Sequence, residues 1–563
     1  MRLVSQYALT ISIGVLMTFC ATAQELISRQ ELFSRSDTLR GSNTPERAWW
    51  DVQRYDLTII PDFTEKYTRG TNAITYQVVG KGTGKMQLDL KPPLRIDSVV
   101  LVSDGSKREV THAGGDIWYV QLPEQNEGTT DQVNVYFSGN PHIAIRPPWD
   151  GGWTFSRDSL DNPWMTVCCQ GLGASVWYPC KDHQSDEPDN GATLTMVVPD
   201  TLQAVGNGRL VKRNDNHNGT MSYTWEVTNP ISNYCIIPYI GKYASFNDTY
   251  IGEKGKLDLQ FWPLQLHEEQ AKAYFPEQTK KMLQAFEHWF GPYPFYEDSY
   301  KLVEADNTGM EHQSGIGYGN FYAFGYRGRD GSGTGYGLLS DFIIIHESAH
   351  EWWGNSLTSN DLADMWVHES FANYAEALYA EYHWGIGAGN DYVFGVRRGI
   401  RNDKPIVPAF GVNAQGSGDM YPKGGNMLHT IRHSIANDTL FREILRGLQR
   451  DFANQTIDGT QLIDYFCDKT DYDYRNVFAQ YLTTVQIPQF RFYFEGDQLF
   501  YKWENCIEGF NLPIAMSDLR TASLKIFPTE EWQSVILTPE QKALVTAKEL
   551  EYLYYISAIE ATD

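Results

Sequence analysis

Asp341-Phe-Ile-Ile-Ile-His346-Glu347-Ser-Ala-His350-Glu-Trp-Trp-Gly-Asn355 is the stretch that decides the reading of this chain. His346 and His350 stand four apart, so a helix puts both imidazoles on one face, within reach of a single metal ion. Glu347 projects beside them, placed to polarise water at such an ion. The pattern H-E-x-x-H therefore points to a zinc hydrolase. A five-residue match also arises by chance on ordinary helices, so the rest of the chain has to supply a third ligand and the substrate machinery.

The candidate third ligand is Glu369, in Trp366-Val-His-Glu-Ser-Phe-Ala372, with eighteen residues between it and His350. Two imidazoles and one carboxylate leave a coordination position open, which a catalytic rather than a structural zinc requires. The flanking Trp366, Phe371 and Ala372 mark this helix face as buried, and a buried glutamate needs a partner. His368 is the rival. It points about 100° away round the helix, so it and Glu369 do not share one ion.

Working outward, 563 residues exceed one core and suggest three or four domains. The net charge of −24 argues against a nucleic-acid or anionic-membrane partner. Aromatic residues make up 14% of the chain, a load suited to large β cores and sheet faces. The start has the form of a targeting segment: Met1-Arg2, an apolar run from Tyr7 to Phe19, then Ala21-Thr22-Ala23 as a cleavage signal. Cleavage leaves Gln24 first and implies export to a periplasm or the exterior. Phe19 is too bulky for lipidation at Cys20. The run is too short for a stable membrane anchor, and no later stretch approaches 18 consecutive apolar residues. Six cysteines remain (Cys168, Cys169, Cys180, Cys235, Cys467 and Cys506), with no C-x-x-C pair, so a cysteine zinc site is not expected.

The pattern gives a multidomain α+β chain. Residues 24–45 read as an extended leader. Residues 46–246 read as an N-terminal antiparallel β domain, with alternation at 54–60 and 70–79 and further strands near 85–90, 96–103, 116–121, 131–137, 192–199 and 221–227. A mainly helical domain follows over 247–486. Its first helix runs from Glu268 to Trp289 and is expected to break or restart at Pro276. A strand at 300–304 and a Gly-rich loop at 308–337 precede the H-E-x-x-H helix. Further helices are expected at 363–384, 425–450 and 459–484. Residues 487–563 read as a small C-terminal β-sandwich domain, with strands near 490–494, 499–503, 523–527 and 551–557.

H-E-x-x-H, eighteen residues, then Glu369 inside W-x-x-E-x-F-A resembles the gluzincin zinc aminopeptidases, the group of aminopeptidase N and leukotriene A4 hydrolase. Three further segments resemble the same family. Thr308-Gly309-Met310-Glu311-His312 falls where the family has G-x-M-E-N, downstream of Phe290-Gly-Pro-Tyr-Pro294, and departs from it at Thr308 and His312. Gln170 precedes Trp177-Tyr-Pro-Cys-Lys-Asp182 much as the family's Gln precedes its F-P-C-x-D. Met420-Tyr421-Pro-Lys-Gly424 resembles Y-x-K-G. The matching covers residues 50 to about 490.

The resemblance implies a thermolysin-like catalytic domain with one Zn²⁺ per chain, held by His346, His350 and Glu369. It makes Glu347 the base and Tyr421 the oxyanion donor. Glu311 and Gln170 would grip the substrate's free amino group, while Gly309 and Met310 line the substrate strand. The implied activity is release of the N-terminal residue from peptides. Two other classes stay open: an endopeptidase or epoxide hydrolase on the same scaffold, and a non-catalytic peptide-binding protein.

Overall fold

The computed structural model describes residues 33–82, 84–515 and 524–561. The targeting segment expected at 1–23 lies outside them. The leader expected to be extended carries a helix at Arg35–Gly41, and a second short helix, Pro45–Ala48, begins at its end. Ser34 explains the first helix. Its hydroxyl accepts the Asp37 amide at 3.2 Å while the Asp37 carboxylate takes the Ser34 amide at 2.8 Å. This reciprocal capping box starts a helix in polar sequence that has no apolar periodicity. The segment is pinned by fully buried Arg47, which donates to Asp89 Oδ2 at 2.6 Å and to the Arg40 and Ser42 carbonyls.

The N-terminal domain follows the alternation that predicted it. Trp50–Asp62, Tyr67–Val78, Lys85–Asp89, Arg95–Leu101, Ile117–Gln121, Thr130–Gly139, Ala192–Pro199 and Thr220–Val227 are all strands. Eight strands form the main sheet. It is antiparallel except where Tyr55–Ile59 runs parallel to Ala192–Met196. Tyr55, Leu57 and Ile59 point inward from one strand into a core closed by Trp153, Trp177 and Trp225.

The second domain opens with a five-stranded sheet in the order Phe246–Gly252, Gly255–Trp262, Tyr300–Glu304, Ile316–Tyr318, Gly309–Met310. The edge strand is therefore Gly309–Met310, held on one side only, by Gly317 and Tyr318. Its other edge keeps backbone donors and acceptors available to an added chain. The helix Glu268–Phe290 runs unbroken through Pro276, contrary to the expectation. The carbonyl that loses its partner belongs to Lys272 on the exposed face, where solvent can take the bond. The spans 425–450 and 459–484, expected as helix, each divide in two. Pro422–Ile435 and Asp438–Asp451 separate at Ala436, with φ +50°; Gly459–Thr470 and Arg475–Thr483 separate at Asp471, with φ +52°.

The C-terminal region is a four-stranded sheet with a two-stranded ribbon, Ile514–Ala515 with Lys525–Ile526. Phe490, Phe492, Leu499 and Trp503 join the same core as the catalytic helices. Residues 551–557 are not the expected strand. Thr546 caps a helix at Ala547–Leu553 by accepting the Glu549 amide at 3.1 Å, and the strand begins at Ser557.

Candidate metal centre

The short helix Phe342–Ala349 starts at Asp341, whose carboxylate accepts the Ile344 amide at 3.1 Å. The same carboxylate takes the hydroxyls of Tyr274 (3.0 Å) and Tyr318 (2.8 Å) and the Asn320 amide (3.0 Å). Burial pushes the carboxyl up to about 6 in spite of these donors. The N-cap thus ties the helix to the long helix behind it and to the sheet beside it.

His346 lies in the last turn and His350 forms the C-cap. Each ring is oriented through Nδ1. His346 Nδ1 donates to Glu376 Oε1 at 2.8 Å, and His350 Nδ1 donates to the Trp353 carbonyl at 2.9 Å. A carboxylate and a carbonyl only accept, so both Nδ1 atoms carry a proton, and whenever the rings are neutral both Nε2 atoms present lone pairs. These face Glu369 Oε2 at 3.7 and 3.4 Å. Glu369 comes from the first turn of the helix Trp366–Trp384. Its Oε2 is buried and takes no hydrogen bond among the described residues, while its Oε1 accepts Gln170 Nε2 at 2.9 Å. Burial alone would raise this carboxyl, but the His350 and His346 imidazoles override it and hold it well below the usual range.

Three ligand atoms thus lie within 4.8 Å of one another, all buried. With the rings neutral they are three converging acceptors, the donor set that a cation fills in place of the ring protons. Two nitrogens and one carboxylate oxygen fit a four-coordinate zinc with one position left open. His368 takes no part: its Nε2 accepts from the Ser359 amide at 3.0 Å, and burial drives it down to about 3.

The cluster opens into a cavity of about 440 Å³, lined also by Gln170, Gly309, Met310, Glu311, Glu347 and Tyr421. Every residue singled out in the sequence as a site residue therefore borders one space. Glu347 packs against the edge strand so closely that a Cβ on Gly309 would lie 2.7 Å from its Oε1. That explains the glycine. Burial pushes the Glu347 carboxyl up to about 7, against the pull of His346. Tyr421 immediately precedes the helix Pro422–Ile435, and its ring stacks on His346 at 6.0 Å. Burial raises its phenol well above 10, so it remains a donor at neutral pH.

Glu311 is buried and accepts the Tyr234 hydroxyl at 3.0 Å, while its carbonyl takes the Asn355 amide at 2.8 Å. Burial raises its carboxyl, and His350 and Glu369 both act on it, which puts it beside the metal ligands. Tyr234 belongs to the N-terminal domain, as does Gln170, so that domain supplies part of the site. Of the two motif departures, Thr308 lines the cavity and is tied through its backbone, and His312 is held through its ring. The Thr308 carbonyl accepts the Gly319 amide at 3.1 Å, and His312 Nδ1 meets the Tyr239 hydroxyl at 2.6 Å.

Two participants were not found from sequence. Glu376 lies seven residues after Glu369, which is two turns on the same helix face, and that spacing was its available signal. The Trp353 carbonyl had none. The Trp353 ring serves as packing, stacked on Phe371 at 4.1 Å, while its carbonyl orients His350.

Residues 274–481 match the peptidase family M1 domain, and residues 52–235 match the peptidase M1 N-terminal domain. Among similar proteins is aminopeptidase N of Streptomyces lividans, 26% identical over 298 residues, which cover 50% of this chain and 33% of that protein. Aminopeptidase N of Canis lupus familiaris is 27% identical over 324 residues, covering 54% of this chain and 32% of that one. The chain thus spans about a third of the length of these relatives. Among solved structures, the M1 zinc metallopeptidase of Deinococcus radiodurans superposes with a TM-score of 0.64 at 21% identity, over 77% of this chain and 94% of that one. A variant of the same enzyme bound to a Tyr-Ser-Ala substrate superposes with a TM-score of 0.63 at 19% identity, over 78% of this chain and 95% of that one. At this identity the likeness speaks to the fold.

Proposed function

Because the chain belongs to peptidase family M1, whose cofactor is zinc, we propose that it is a zinc-dependent aminopeptidase that removes the N-terminal residue from peptides. His346, His350 and Glu369 would hold the ion. When bound, zinc supplies a Lewis acid that makes water more acidic and polarises a carbonyl. Glu347 takes the proton of the attacking water and passes it to the leaving amine. Tyr421 donates its hydroxyl to the oxyanion that develops at the scissile carbonyl. The free edge of Gly309–Met310 aligns the substrate backbone, and the Met310 side chain lines the cavity beside the first residue. Glu311 accepts from the substrate's ammonium group, with the Gln170 amide oxygen as second acceptor.

The observation that carries this reading is the buried Glu311 carboxylate in the same cavity as the ligand triad. A buried anion beside a hydrolytic centre favours a substrate that brings its own positive charge. The variant Glu347→Gln is expected to retain zinc and to lose at least about 10²-fold in kcat on aminoacyl-anilides. Acetylating the substrate amine should abolish turnover by the wild type. Undiminished hydrolysis by the variant, or equal rates on acetylated peptides, would remove the assignment. The export reading rests on residues 1–23 and is checked by N-terminal sequencing of the mature chain, expected to begin at Gln24. No helix among the described residues is long and apolar enough to cross a membrane.

A further inference from the structure

We infer that Gln170 is a positioning residue for the metal ligand Glu369, so that the N-terminal β domain completes the metal site of the domain next to it. The two oxygens of Glu369 are divided. Oε2 faces both imidazoles and takes no hydrogen bond among the described residues, and Oε1 accepts Gln170 Nε2 at 2.9 Å across 199 positions of sequence. The direction of the amide is fixed by chemistry. Turned round, it would set its own oxygen against a carboxylate, acceptor to acceptor. With the donor end on Oε1, the carboxylate is locked in rotation and offers one oxygen to the ion.

The amide can hold that position because its backbone is built into a tight turn. Gln170 follows the strand Pro163–Cys168, and the Leu172 amide returns to the Gln170 carbonyl at 2.8 Å. The Gly173 amide returns to Cys169 at 2.7 Å. Gly171 and Gly173 have φ of +71° and +93°, which side chains rarely adopt. A Cβ on Gly171 would lie 2.7 Å from the Gln415 amide of the catalytic domain, so the turn rests directly on its neighbour. Cys169 Sγ anchors the turn from behind on the Tyr234 carbonyl at 3.3 Å, and the Tyr234 hydroxyl holds Glu311. One small unit of the N-terminal domain therefore steadies both Glu369 and Glu311.

This rests on the metal reading above and adds a division of labour. The nitrogen of Gln170 serves the ligand, and its oxygen is left for the substrate ammonium. A glutamate would keep the acceptor and lose the donor, whereas a methionine would lose both. Zinc affinity measured by chelator competition should therefore weaken about tenfold or more in both Gln170→Glu and Gln170→Met, in the range found for partners of metal ligands. KM for an aminoacyl-anilide should rise in Gln170→Met alone. Thermal unfolding of the zinc-free proteins serves as the folding control and should coincide with wild type.

Zinc affinities within twofold of wild type in both variants, with only KM altered, would overturn the inference and leave Gln170 as an amine reader. If one variant unfolds early, the other decides, because the two share the lost donor but differ in charge. Wild-type protein that binds zinc without cleaving aminoacyl-anilides refutes the aminopeptidase reading, and the affinity comparison still decides the role of Gln170.

Discussion

Two pairs of buried histidines stand four residues apart on helices of this chain, and among the described residues only one of them converges with a carboxylate into a set that could hold a metal ion. His346 and His350 pack edge to face with centroids 5.1 Å apart. His429 and His433, on the helix Pro422–Ile435, do the same at 4.4 Å. Spacing and burial are alike; the surroundings differ. Glu376 and the Trp353 carbonyl accept from Nδ1 of the first pair and turn both Nε2 atoms toward Glu369. The second pair meets the Tyr374 hydroxyl at 3.1 Å on His429, and no carboxylate contacts either ring among the described residues. The charged group between them, Arg432, pairs with Glu381 and Asp438. Burial depresses the second pair, His433 to about 3. At His346 and His350 burial acts in the same direction, but the neighbouring carboxylates, Glu369 above all, raise both. The carboxylates, not the four-residue interval, make the site.

Removing them should break the contrast in steps. Glu369→Ala takes away the only carboxylate among the ligands and should abolish both tight zinc binding and turnover, leaving a first pair that behaves like the second. Metal content by atomic absorption after dialysis checks this; retained stoichiometric zinc would contradict it. Glu376→Gln is gentler. An amide oxygen can still accept from His346 Nδ1, but without the charge that raises the basicity of the ring, so zinc affinity should fall about 10-fold to 100-fold. Competition with a chelator reads the shift.

The same distinction explains what the sequence disclosed. Residue type and interval are visible in a sequence, so His346, His350, Glu347 and Glu369 could be named, as could the alternating strands from Trp50 to Val227. The family resemblance then brought in Glu311, Gln170 and Tyr421, and the cavity gathers all of them. Contacts made by backbone or across domains leave little trace. The Trp353 carbonyl is invisible to a search for side chains. The hydrogen bond of Gln170 to Glu369 depends on how two domains dock. In the fold, the misses are local capping effects that outweigh pattern. Ser34 with Asp37 makes a helix of an apparent leader, and Thr546 starts one where alternation suggested a strand. Pro276 is tolerated because its lost bond lies at the surface.

The smallest expected effect comes from the second pair and tests whether it is purely structural. His433 is neutral in the fold, with its pKa lowered from 6.5 to about 3 by burial and by Arg432. Between those two values the unfolded chain binds a proton that the folded chain refuses. Stability from this group is therefore intact above pH 6.5 and is lost as pH falls toward 3. His433→Phe keeps a ring of similar size beside His429 and Tyr554 and removes that proton uptake. Its unfolding free energy should decline less steeply below pH 6.5, by up to about 1.4 kcal/mol per pH unit. Zinc affinity and turnover at pH 7.5 should match wild type. Urea unfolding between pH 4.5 and 7.5 measures the slopes. Equal slopes would mean that His433 is already protonated in the fold. A loss of zinc would mean that the two histidine pairs are coupled through the helix Trp366–Trp384, whose Glu376 contacts His346 and whose Tyr374 contacts His429, in a way their separate surroundings do not suggest.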